Sequence, residues 1–349
     1  MNRKQRRTAA KVARKQPKSG AARSVADKVV EKAIAAAQVG ALAEAEAAIE
    51  QVLAQQPDHI EALHQKGVLL ARTHRVEDGI AVLQRVTTAR PQEPLYWNNL
   101  AAACLTIDRS ADALTAARKA VDLDPAYIMA WRNLAMAATD LGQHREAAEA
   151  LQKASALSPG DAEVWSRLGM AQLELGDAAR AEAAFTKAVA LDPGNAECLS
   201  NLGVLLAKRN RAGDALPHLE RAVSIDPERF TAALHYGVAL TLIGDYAKGM
   251  RWLRRATSIK PNSDVAWGAL ADAAIKAGET AEALDAARRA LQFAPNDATH
   301  RSRLQKLEPR DATPRSTLVE LDLGGPPAGD RSASETADPS PSLNQIFIR

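Results

Sequence analysis

Catalysis and metal binding need histidines, cysteines and carboxylates within reach of one another, and this sequence scatters them. The seven histidines (His59, His64, His74, His144, His218, His235 and His300) include no pair four residues apart, and Cys104 and Cys198 stand alone. No His/Cys/carboxylate cluster has metal-ligand spacing, and no glycine-rich loop is placed to cradle a phosphate. Asp122, Asp124, Asp192 and Asp226 sit just before prolines, so they are read as helix-end residues and not as an acid–base pair. No catalytic residue, metal ligand or cofactor is therefore assigned. What remains are side chains that bind without reacting. Asn99, Asn133, Arg167, Asn201 and His235 follow one another at intervals of 34 residues, and Asn98 and Arg132 precede two of them. An amide donates and accepts at once, which suits a peptide backbone, and a guanidinium grips a carboxylate. Met136 and Met170, three residues beyond Asn133 and Arg167, add adaptable apolar surface.

The interval belongs to the whole chain. Prolines 57, 91, 125, 159, 193, 227, 261 and 295 are each 34 residues apart, and a fixed period of this size marks a repeat array. With the recurring proline as position 32, the units run 26–59, 60–93, 94–127, 128–161, 162–195, 196–229, 230–263 and 264–297. Position 8 is Gly or Ala throughout (Ala33, Gly67, Ala101, Ala135, Gly169, Gly203, Gly237, Ala271), and so is position 20. Two antiparallel helices approach closely only where bulk is absent. Positions 4, 7, 8 and 11 share one face of a first helix, and positions 20, 24 and 27 one face of a second. Larger residues fill position 7 (Leu100, Leu134, Leu168, Leu202) and position 24 (Ile49, Leu83, Leu151, Phe185, Leu219, Leu253), and Trp131 and Trp165 open first helices at position 4. Gly40, Gly142, Gly176, Gly244 and Gly278, at position 15, supply the turn between helices. Pro94 falls at a helix start, and Pro217 is expected in the first turn of a second helix, where little bonding is lost.

Trp131, Leu134, Ala135, Ala147, Leu151, Ala154 and Pro159 stand where the tetratricopeptide repeat family places its signature residues, and the pattern resembles that family over residues 26–297. The resemblance implies an all-α, right-handed superhelical solenoid of about eight helix pairs. It also implies that first helices line a concave groove, setting Asn98, Asn99, Arg132, Asn133, Arg167, Asn201 and His235 in a ladder that binds an extended peptide. The ladder resembles the Asn ladder of O-linked N-acetylglucosamine transferases. It matches the carboxylate clamp of chaperone-binding repeats only in part: Leu95 and Glu163 occupy position 2, and the clamp's lysine is missing. The opening Met1-Asn2-Arg3-Lys4-Gln5-Arg6-Arg7 resembles that of some bacterial repeat proteins that continue into a glycosyltransferase domain, which implies an accessory module acting in trans as the alternative function.

The ends differ from the array. The 349-residue chain carries a net charge of +3, yet residues 1–23 hold nine Lys or Arg and no acid, leaving 36 basic and 42 acidic residues elsewhere. Residues 1–25 are read as a basic, mobile arm, able to meet nucleic acid or an anionic surface but lacking interleaved aromatics for base stacking. Residues 298–310 are read as a capping helix with Leu304 and Leu307 inward, and 311–349 as a disordered tail. No stretch has the ~20 apolar residues of a membrane span, and unpaired cysteines suit a reducing compartment, so a cytoplasmic interaction scaffold with a protein or peptide partner is expected.

Overall fold

A computed structural model describes residues 24–73 and 75–308; the basic arm, His74 and the C-terminal segment beyond Glu308 lie outside the described residues. Among the described residues there are seventeen α-helices and no strand. They form two compact units that divide between Ala154 and Ser155. The first contains α1 (Val25–Gln38), α2 (Leu42–Gln55), α3 (Ile60–Ala71), α4 (Val76–Ala89), α5 (Pro94–Leu105), α6 (Ser110–Leu123), α7 (Ile128–Asp140) and most of α8 (His144–Leu157). The second contains α9 (Ala162–Glu174), α10 (Ala178–Leu191), α11 (Ala196–Lys208), α12 (Ala212–Ile225), α13 (Phe230–Leu242), α14 (Tyr246–Ile259), α15 (Asp264–Ala277), α16 (Thr280–Phe293) and α17 (Ala298–Leu307). No described helix is long and apolar enough to cross a membrane.

In the first unit α1 packs on α2, α3 on α4 and α5 on α6, and each pair then packs on the next first helix. In the second unit α9/α10, α11/α12, α13/α14 and α15/α16 pair in the same way, and α17 closes on α16. First helices also touch one another, α1 with α3, α3 with α5, α5 with α7, and likewise α11 with α13 and α13 with α15. The first helix starts at Val25, one residue inside the span read as arm, because Ser24 and Asp27 close a reciprocal capping box.

Small and large residues are matched across each pair. A Cβ built on Gly67, Gly169, Gly203 or Gly237 would lie within 2.5–2.7 Å of Leu83, Phe185, Leu219 or Leu253. These are the position-24 residues of the same units, so in these four pairs the missing Cβ makes room for the large partner. Where position 8 is Ala101 or Ala271, position 24 is Ala117 or Ala287, and both members of each pair are buried. Ala33 with Ile49 and Ala135 with Leu151 are buried pairs as well, so each unit fills its own gap and no single summed volume is imposed.

The turn at position 15 needs a left-handed backbone, and all five glycines there have φ between 68° and 92°. Asp108 and Asn210 occupy the same position with φ of 57° and 58°. Asp and Asn are the non-glycine residues that tolerate this conformation, so the turn survives the substitution.

The tryptophans at position 4 are half-buried. Each donates its indole N–H to the carbonyl of a phase proline six residues earlier: Trp97 to Pro91 (2.9 Å), Trp131 to Pro125 (2.9 Å), Trp165 to Pro159 (3.0 Å) and Trp267 to Pro261 (2.7 Å). Where the tryptophan is absent, Arg221 and Arg301 donate to Pro193 and Pro295 instead. The indole polar end thus clips the inter-repeat link while the ring covers apolar surface. Pro217 is also corrected. It is interior to α12, because that helix starts at Ala212 and a proline at its sixth residue removes the bond an N–H there would donate to Gly213.

Candidate functional site

Positions 2, 5, 6 and 9 of a first helix lie on one face, since steps of three, four and seven residues return to the same side. In the first unit that face carries a continuous polar chain. The Asn133 Nδ2 donates to Oδ1 of Asn98 at 2.9 Å, and Nδ2 of Asn98 donates to Oδ1 of Asn99 at 3.3 Å. The Asn99 amide in turn meets Nε2 of His64 at 2.7 Å. The His64 ring is 2% exposed, stacks at 4.6 Å on Tyr96 and lies 3.6 Å from the Glu61 carboxylate. Gln65 and the Tyr96 hydroxyl also donate to Glu61, at 3.1 Å each. His64 above all, with Gln65 and Tyr96, holds the Glu61 carboxyl down at about 2. Burial, followed by the Glu61 charge, pushes the Tyr96 hydroxyl up to about 12.

Asn98 and Asn133 were expected to face a partner, and the structure corrects this: they are 5% and 8% exposed and bonded to each other. The cause is the stacking of first helices. It brings position 6 of one repeat against position 5 of the repeat before, and buried polar groups there satisfy one another. Asn99 is half-buried in the same chain, and Arg132 is half-buried on α7 between Met129 and Met136. The open part of the face is apolar: Leu95, Met129 and Met136 are 44%, 49% and 36% exposed.

The second unit uses position 6 differently. Arg167 is exposed and pairs with Glu163 one turn back on its own helix, at 2.9 Å. Asn201 reaches the Met170 sulfur at 3.4 Å. His235 is half-buried, and burial, with the Lys208 charge adding to it, pushes its imidazole down to about 3, so it is neutral at ordinary pH. On α17, Arg303 holds Asp272 in a two-pronged bond (2.6 and 2.8 Å) and touches Nδ1 of His300 at 2.7 Å, while Nε2 of His300 lies 3.3 Å from Asp264. The seven candidate residues thus fall into separate arrangements: Asn98, Asn99 and Asn133 join in one chain, Arg132 lies half-buried on α7, Arg167 pairs on its own helix, Asn201 reaches back to Met170, and His235 is kept neutral by burial.

Sequence reasoning missed Glu61, His64 and Tyr96, which complete the polar chain, and Met129, which dominates the open surface. A readable signal existed: a polar residue at position 5 followed 35 residues later by an amide at position 6, as in His64/Asn99 and Asn98/Asn133. Among the described residues no group of His, Cys, Asp and Glu is placed to hold a metal ion. Both cysteines are buried, and burial raises the thiol of each, that of Cys104 to about 11. Asp124, Asp192 and Asp226 accept backbone N–H bonds from Ala126, Gly194 and Glu228 where second helices end, which is a structural use.

Tetratricopeptide repeat models match residues 132–196 and 200–264, and 36–104 and 244–307, which together cover more than half of the chain. The chain belongs to the tetratricopeptide repeat family. Among solved structures it is similar to pilF of Pseudomonas aeruginosa, with 17% identity and a TM-score of 0.52 over 62% of this chain and 97% of that one. It is also similar to a tetratricopeptide repeat protein of Parabacteroides merdae, with 13% identity and a TM-score of 0.50 over 71% of this chain and 98% of that one. At these identities the likeness is one of fold. No curated protein sequence matches the chain.

Proposed function

We propose that the protein is a non-catalytic interaction scaffold that binds an extended peptide or protein segment along the first-helix face of its N-terminal unit. The family is one of protein-interaction repeats, which supports the class of function. The observation that carries the reading is the exposure of Leu95, Met129 and Met136 on the face whose polar side chains are already bonded to one another. Exposed methionines on a rigid backing are adaptable apolar contacts that accept varied side chains.

The test is selection of peptides from a random display library on the whole protein, followed by anisotropy titration of labelled winners. Met129→Glu with Met136→Glu, checked for retained helix by circular dichroism, is expected to weaken binding at least tenfold. Undiminished binding, or no enrichment above display background, overturns the proposal.

A further inference from the structure

The first-helix face of the N-terminal unit has a row at position 9 and a row at position 2 that is acidic at one end. At position 9, Ile34, Val68 and Ala102 are half-buried and Met136 is exposed, so one apolar side chain is offered per repeat. At position 2 the row changes character along the unit: Asp27 and Glu61 on α1 and α3, then Leu95 and Met129 on α5 and α7. The carboxylates at the α1/α3 end stay ionised. A backbone bond from Ser24 lowers the Asp27 carboxyl, and Glu61 is held at about 2.

The spacing of the rows sets the period of a ligand. Successive first helices touch, and packed helices lie about 8–10 Å apart. An extended strand advances about 3.3 Å per residue, so two residues span roughly 6.6 Å, three roughly 10 Å and four roughly 13 Å. A polyproline II segment gives about 9.3 Å for three residues. An extended strand turns residues three apart to opposite faces, whereas polyproline II, with three residues per turn, returns every third side chain to the same face at this spacing. Charge fixes the end: a cation is favoured over α1 and α3, beside the Asp27 and Glu61 carboxylates.

Resting on the proposed peptide-binding face, we infer that its ligand is a polyproline II segment with an aliphatic side chain at every third residue and Lys or Arg at the end lying over α1 and α3. The occupant is a partner chain of that chemistry.

The experiment uses the full-length protein and labelled 15-residue peptides. Each begins with two lysines, followed by leucine at every second, third or fourth position in a serine/proline background. The period-three peptide is expected to bind at least tenfold more tightly than the other two. Its affinity is expected to fall at least threefold when glutamates replace the lysines, and again when salt is raised from about 50 to 500 mM, since exposed charges are then screened. Met136→Glu is expected to remove the preference for period three. Equal affinities for the three periods, or no effect of the lysine replacement, overturn the inference while library-selected peptides that respond to Met129→Glu with Met136→Glu leave the binding face standing. Failure of those selected peptides to respond overturns both.

Discussion

The two units place different chemistry at the same position of the repeat. In the N-terminal unit, position 6 carries amides that reach back 35 residues: Asn99 to His64, and Asn133 to Asn98. In the C-terminal unit the same position carries Arg167, turned along its own helix to Glu163, Asn201 against the Met170 sulfur, and His235, neutral beside Lys208. On α17, Arg303 stands in the same register and reaches back 31 residues to Asp272. Position 6 thus stitches neighbouring first helices through Asn99, Asn133, Asn201 and Arg303, while Arg167 stays on its own helix. A polar column there is a property of stacking first, and only the residues left open beside it are available to a partner.

The largest expected difference between the units is in the cost of cutting the stitch. Asn133→Ala leaves the buried Asn98 carbonyl oxygen of its side chain without a donor and should cost about 1–3 kcal/mol in urea unfolding. Asn201→Ala loses a half-buried contact with sulfur and should stay within about 0.5 kcal/mol. Equal losses would show that the two units use the position alike.

Acid should separate the units next. His235 has its folded pKa lowered from 6.5 to about 3, so the unfolded chain takes up the proton first and stability is lost as pH falls from about 6.5 toward 3. Glu61, lowered from 4.5 to about 2, contributes fully above 4.5 and loses that contribution as pH falls from there to 2. Hydrogen exchange, corrected for intrinsic rates, should therefore show α13 loosening at pH 5 while α3 stays protected. His235→Gln should reduce the loss above pH 4.5, leaving the part due to His218, whose imidazole is also pushed down by burial, and a variant profile that overlays the parent's would refute the assignment.

The smallest effect is at the turns. Asp108 in one unit and Asn210 in the other hold left-handed backbone, and replacing either by Gly should stabilise by up to about 1 kcal/mol. Gains unequal between the two would mean that one side chain has a further role in its turn.

Much of the fold was legible in the sequence because its cause is periodic. Gly169 and Phe185, or Gly203 and Leu219, recur in register because every pair must fill its own gap, and the repeated prolines and glycines mark the same links. The candidate site was legible only in outline. Asn133 is on the expected face, yet whether an amide there meets solvent or another amide depends on Asn98, 35 residues earlier on a neighbouring helix. The role of Trp165 was likewise not readable from its position alone: the Pro159 carbonyl holds its N–H at the link and leaves the ring half-buried.

By itself the sequence determined the helix pairs, their register and the residues of the contact columns, because local packing between a helix and its nearest partner repeats with the chain. Only the tertiary structure decided which polar side chains are closed upon one another and which apolar ones stay open. That outcome is set between first helices of different repeats, where His64, Asn98, Asn99 and Asn133 consume each other's hydrogen-bonding capacity and leave Leu95, Met129 and Met136 at the surface.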